Sequence, residues 1–281
     1  MKEHKLLGTW VDEMGKYGIN IGKRGETLQY MISSINQKAS PSKVGIYAAE
    51  ARLNLAEIVI IPSLLYNAEG YPQYEEAVIK KLESIQLSIL VGILGLPKST
   101  PYCALLMEVG WWTMRARLAY KKLMLYHNIV RSDEKRVVKK IVKVQEDEKR
   151  ETTWYSSIVR EMKKYSITLE AKDTLKSTWK KEVKARITER EEGEIREKCM
   201  NSSKARIVKD DEYKKKDYLL GKVSLKEARN ILHTRMNMNR IPGNYKGRSE
   251  GTCPLCTKAK GTTEHYFQCD KVRTLKEVCG R

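Results

Sequence analysis

Apolar residues recur with a helical period over most of the 281-residue chain, and breaks in that period mark its expected segments. Val78, Leu82, Ile85 and Ile89 stand four, three and four apart, one stripe that predicts a helix over about 74–93. Gly92, Gly95, Pro97 and Pro101 then break it. From Tyr102 to Val130 a further helical region carries Met114, Leu118, Leu125 and Ile129 on one side, with Arg115, Lys121 and Lys122 beside them. Residues 43–66 are apolar nearly all round, through Ala48, Leu53, Ile58, Val59, Ile60, Leu64 and Leu65. That pattern predicts a central, buried helix that Pro62 kinks or stops. Residues 23–130 therefore read as a helical bundle.

The flanks read differently. Residues 1–22 suggest short strands around turns, from Leu6-Leu7-Gly8-Thr9-Trp10-Val11-Asp12 and the glycines at 15, 18 and 22, and so a short N-terminal β hairpin. From 131 to 222 the pattern is charge-rich and amphipathic. Trp154, Ile158, Met162 and Tyr165 keep a four-four-three spacing, and Leu175, Trp179, Val183 and Arg186 continue it. Residues 185–217 are dense enough in charge to be expected partly disordered when free. In 223–281, one more short helix is predicted over 225–232, ending before Pro242-Gly243, and a cysteine-rich end follows. The fold class expected is mainly α: bundle, charged helical linker and a small terminal metal module.

Charge narrows the partner. The net charge is +19, and residues 131–250 hold 33 basic against 21 acidic side chains. Such a surplus favours a polyanion, because neutralising phosphates releases condensed counterions. The plainer alternative is a solvated helical surface, since Glu and Asp alternate with Lys through the middle of the chain. No apolar run reaches the ~18 residues of a membrane span, and the first residues form no apolar signal core. An intracellular protein, nuclear or cytoplasmic, is expected, with no membrane partner and no small-molecule substrate.

Six cysteines stand at 103, 199, 253, 256, 269 and 279. Disulfides suit small secreted chains; in a reducing compartment the clustering of four in the last 29 residues fits a metal better. Cys253-Pro254-Leu255-Cys256 is followed after eight residues by His265 and after three more by Cys269. A C-x2-C turn presents two thiolates from one loop, and H-x3-C puts two ligands on one helical turn, the tetrahedral set zinc prefers. Gly261 allows the reversal between them, and Thr263 and Glu264 suit a helix start. Cys279 lies ten residues too late, and Cys103 and Cys199 read as ordinary buried thiols.

Catalytic patterns are not evident. Asp210-Asp211 sits among Lys209, Lys214, Lys215 and Lys216 without the apolar strands of a polymerase hairpin, and reads as a solvated face. There is no P-loop and no G-x-S-x-G. His127 reads as structural. Trp111-Trp112 reads chiefly as a core anchor, with base stacking as the alternative.

Several segments together resemble the carboxy-terminal part of a non-LTR (LINE-type) retrotransposon reverse transcriptase. Leu6-Leu7-Gly8-Thr9-Trp10 is similar to the Y-L-G strand closing the palm. Leu64-Leu65-Tyr66-Asn67-Ala68-Glu69 resembles the thumb's L-L-Y-G-x-E, with Asn67 in place of a glycine, a change a helix would tolerate. Leu82-Glu83-Ser84-Ile85-Gln86 through Ile93-Leu94-Gly95-Leu96-Pro97 resembles L-E-x-x-Q…I-L-G, and Glu108-Val109-Gly110 the next E-x-G. Asn237-Met238-Asn239-Arg240-Ile241-Pro242 resembles the H-I-N-A-L-P of site-specific elements with a restriction-like endonuclease, Asn237 replacing histidine. The terminal Cys/His cluster looks like the family's zinc knuckle. The resemblance implies thumb, linker and knuckle, with the catalytic palm expected before Met1. It also implies nucleic-acid contacts from Arg115, Arg117, Lys121 and Lys122 in the thumb and from Arg235, Asn239 and Arg240 near the knuckle. The partner would be element RNA or target DNA and the cofactor Zn2+. An independent zinc-dependent RNA/DNA-binding adaptor and a charged helical scaffold for proteins remain as alternatives.

Overall fold

The computed structural model describes residues 3–6, 9–12, 18–148, 150–202, 204–205, 208, 210–238, 251–253 and 255–271. Before Ile21 only the backbone is described. Helix covers 67% of it, so the mainly helical class holds. The closed N-terminal hairpin expected from the sequence is not supported, because the turn that would make a hairpin of its two short strands falls outside the described residues. Four residues on each side, β1 (Glu3–Leu6) and β2 (Thr9–Asp12), pair antiparallel, and the residues joining them lie outside the described ones.

The chain then runs through α1 (Gly18–Glu26), α2 (Leu28–Lys38), α3 (Pro41–Val44), α4 (Ala48–Leu55) and α5 (Ile61–Leu64). The predicted stripe at 78–89 lies on α6 (Glu76–Leu94), with Leu82 and Ile89 buried and Val78 and Ile85 half-buried. Gly95 ends α6 in the left-handed conformation, φ 68°. Short α7 (Tyr102–Val109) ends likewise at Gly110, φ 63°, and Thr113 caps α8 (Met114–Val130) by accepting from the Ala116 N–H. Next come α9 (Val137–Glu148), α10 (Trp154–Lys164), α11 (Lys176–Met200) and α12 (Leu225–Arg235). A Ser224–Glu227 capping box opens α12. The last is α13 (Thr263–Gln268).

The run 43–66 departs from its prediction. It breaks into α3, a 3-10 turn, α4, a π turn over Ala56–Ile60 and α5. Pro62 has no N–H and its ring opposes the carbonyl four residues back, and the π turn accommodates this, with the Ile61 N–H donating to Ala56 O. The burial is one-sided as well. Ala49, Leu53, Ala56 and Ile60 face the core, while Ile58 is 71% and Tyr47 57% exposed. Asn67 is not helical either. Its φ of 57° lies in the left-handed region, where glycine and then asparagine are most at home.

Two apolar clusters form. The larger joins α2, α4, α6 and α7 with α12 and the segment holding Ala205, Val208, Tyr213 and Leu219. The smaller gathers Ala119 and Leu123 of α8, Ile158 of α10, and Trp179, Val183 and Ile187 of α11. α11 spans both. Its buried row, Trp179, Val183, Ile187, Glu191, Ile195 and Cys199, advances four residues at a time. At about 100° per residue each step turns the row about 40°, so the two ends of one straight helix face different clusters. The stretch expected to be partly disordered is thus helical to Met200, and its downstream part packs on α7, where Lys216 N donates to Glu108 O.

Buried polar groups hold these parts together. Arg52, 7% exposed, donates to the carbonyls of Asn36 and Ala39 at the end of α2 and of Ile93 at the end of α6. A cation thus meets two helix C-termini, where the dipoles favour it. Gln86 donates to Trp112 O and accepts from Tyr102 Oη. Glu108, fully buried, accepts from Tyr218 Oη and pairs with Arg235.

Candidate metal centre and cationic clefts

A small module carries the cysteine ligands. The C-x2-C turn is closed by Thr257 N donating to Cys253 O, with Thr257 itself at φ 57°. Thr252 and Lys260 bridge antiparallel, and Cys253 N donates to Ala259 O, so the chain doubles back. Gly261 packs its Cα against that return, where a Cβ would lie 3.3 Å from the carbonyl oxygens of Gly251 and Thr252. Thr262 then caps α13 by accepting from the His265 N–H.

These turns bring Cys253, Cys256, His265 and Cys269 together, their ligand atoms all within 4.8 Å of one another. Sγ of Cys253 and Sγ of Cys269 are 3.9 Å apart, and Cys256 Sγ lies 3.2 Å from His265 Nε2. Cys253 and Cys269 are buried while Cys256 and His265 are half-buried. Backbone N–H groups of Lys258 and Ala259, with His265, bring the Cys256 thiol down to about 6, easing formation of the thiolate that binds metal. These four side chains can hold a metal ion. Cys279 lies outside the described residues. Cys103 and Cys199 form no part of the cluster; they hydrogen-bond each other, which lowers the Cys103 thiol and raises that of Cys199.

The cations expected to grip nucleic acid are engaged within the fold. Lys122 is only 2% exposed; its ammonium donates to Pro72 O and Ser157 Oγ and lies over the Tyr74 ring. The Lys122 expectation is narrowed accordingly: its side chain is almost wholly buried and its ammonium is already hydrogen-bonded within the fold. Arg115 pairs with Glu76 at 2.5 Å, and Lys121 with Glu69 at 2.7 Å while donating to Leu65 O. Arg117 pairs with Glu57 at 3.0 Å and lies over the Trp111 ring. Arg235 is held by Glu108 and Asp211. Asn239 and Arg240 lie outside the described residues. Trp111 is buried and His127 is structural, its Nε2 at Thr174 O and its ring stacked on Trp179.

A cleft of about 500 Å³ lies where α8, α11 and residues 213–215 meet. Trp112 and Tyr120 line it together with Lys180, Lys184, Lys214 and Lys215 and the Arg117–Glu57 pair. Sequence reasoning passed over Lys180 and Lys184. Their spacing of four on one helix face was a usable signal, but the aromatic wall opposite comes from residues some seventy positions earlier. Among the described residues no helix is long and apolar enough to cross a membrane. No protein-family model matches the chain, and neither a curated protein nor a solved structure matches it.

Proposed function

We propose that this chain is a zinc-stabilised nucleic-acid-binding unit with the character of the thumb, linker and knuckle of a LINE-type reverse transcriptase. The observation that carries the reading is the four-ligand Cys3His cluster at the end of a chain with a +19 charge. Zinc is the ion that suits three thiolates and one imidazole. With Zn–S near 2.3 Å a regular tetrahedron has S···S edges of about 3.8 Å, and the Cys253–Cys269 separation is 3.9 Å. Thiolate ligands need a reducing setting, hence an intracellular location, nuclear or cytoplasmic.

Five described positions of the resembling motifs support the same reading, because each has a structural reason to be what it is. Gly95 and Gly110 sit at positive φ, and Asn67, standing for a third glycine, does so too. The glutamine and glutamate of the resembling motifs, Gln86 and Glu108, are both fully buried and hydrogen-bonded. Residues 1–22, 23–130, 131–222 and 223–281 would correspond to the end of a palm, a thumb, a basic linker and a knuckle-bearing end. The partner in this reading is element RNA or target DNA, held mainly through its phosphates.

Equilibrium binding to unrelated single- and double-stranded oligonucleotides tests it. The affinity should vary little with sequence and fall about 100-fold or more between about 50 and 200 mM salt. Binding that ignores salt, or no binding at any salt, would favour a protein-binding scaffold instead.

A further inference from the structure

The α8–α11 cleft unites two features that an unpaired nucleotide needs and that a duplex uses poorly. One is aromatic surface. Trp112 is half-buried, and its indole N–H is already satisfied by Thr188 Oγ1 at 3.1 Å, so the ring is fixed and only π surface is left for a ligand. Tyr120 lies 5.4 Å away, tilted by 57°, so the two rings make a corner and not a closed stack. The other feature is positive charge. Lys180 and Lys184 are exposed, one turn apart on α11, and form no ion pair among the described residues, unlike Arg117 with Glu57 and Lys214 with Glu212. The volume, about 500 Å³, suits one nucleotide.

We infer that this cleft binds an unpaired nucleotide within a single strand, its base against Trp112 and Tyr120 and its phosphates on Lys180 and Lys184. The inference rests on the nucleic-acid reading above and moves the main contact from α8 to α11, although Arg117 of α8, paired with Glu57, also lines the cleft. A strand fits better than a free nucleotide. Lys180 and Lys184 lie about 6 Å apart along the helix axis, which serves more than one phosphate. A duplex keeps its base faces stacked and would leave the aromatic corner unused.

Fluorescence anisotropy with labelled oligonucleotides of about 12 nucleotides tests this: a thymine strand, the same strand with abasic sites, and a duplex. Wild-type protein should prefer the ordinary strand over the abasic one by about 10-fold. Trp112→Leu should erase that preference while leaving the abasic affinity within about 2-fold, and Trp112→Phe should keep part of it. Lys180→Ala with Lys184→Ala should weaken both strands and flatten the logarithmic salt slope by about 1.4. Thymidine monophosphate should not displace the strand at matching nucleotide concentration. A wild-type protein indifferent to abasic sites, a preference that survives Trp112→Leu, or full displacement by the mononucleotide would each overturn the inference. Loss of all binding, duplex included, in the wild type would instead sink the nucleic-acid reading and this inference with it. Circular dichroism of each variant separates lost contacts from lost folding.

Discussion

Lys122 carries a charge into a place that water barely reaches. Burial disfavours the ammonium and brings it down to about 8, with Glu161 opposing the shift and Arg160 adding to it. In the unfolded chain the same group returns to 10.5. Between those two values the unfolded chain binds more protons than the folded one, so the contribution of this group to stability rises with pH there. Lys122→Met removes that titration. From about pH 7 to about pH 9.5 the wild type should gain roughly 1–2 kcal/mol relative to the variant, read from urea melts at both values. Equal pH dependence in the two proteins would mean that the ammonium is solvated. Nothing in the sequence marks Lys122 as different from Lys121 beside it. One residue turns it from a half-buried pair with Glu69 to an interior site against Pro72 and Ser157.

At the scale of elements, the close approach of α7 to the returning segment depends on Gly110. Its φ is 63°, and a Cβ there would lie 2.6 Å from the backbone nitrogen of Lys215. Gly110→Ala should cost about 2–4 kcal/mol, since left-handed strain adds to a clash with backbone that cannot step aside. Gly193 is the control. It lies within α11 with open space around it, so Gly193→Ala should raise stability by about 0.5–1 kcal/mol. Thermal melts of both variants check the contrast, and a neutral Gly110→Ala would show that α7 and residues 214–215 are not tightly apposed. This scale also separates what the sequence disclosed from what it hid. The stripe Val78–Ile89 was legible because a helix buries whatever its own period puts on one face, and the cysteine cluster because C-x2-C and H-x3-C carry their geometry locally. The run 43–66 was over-read, because apolar content says nothing of which side meets a partner, and a π turn ahead of Pro62 cannot be counted from composition. That the α8 cations have carboxylate partners was hidden for a related reason. Their partners, Glu57, Glu69 and Glu76, come from elements about forty to sixty residues earlier.

For the molecule as a whole, the metal cluster and the helical core are separate cooperative problems. Neither Cys253 nor Cys269 belongs to either apolar cluster, and among the described residues the module around them offers one six-residue helix and a single antiparallel bridge. A module of this size has little apolar surface to bury, and the ion should supply most of the folding energy of residues 251–271. The bundle needs no such help. Its two clusters are bridged by α11, and the buried groups Arg52, Gln86 and Glu108 tie together the elements around the larger one. One zinc per chain is therefore expected, lost on Cys256→Ser or His265→Ala and kept on Cys103→Ser or Cys199→Ser, as metal analysis will read. Chelation should change the helical dichroism only slightly and leave the main thermal transition within about 2 °C, while amide exchange at 251–271 rises to the rate of an open chain. A collapse of the main transition on chelation would couple the module to the core, against this division. Zinc retained by Cys256→Ser would mean that a fifth residue, Cys279 being the obvious one, can complete the tetrahedron.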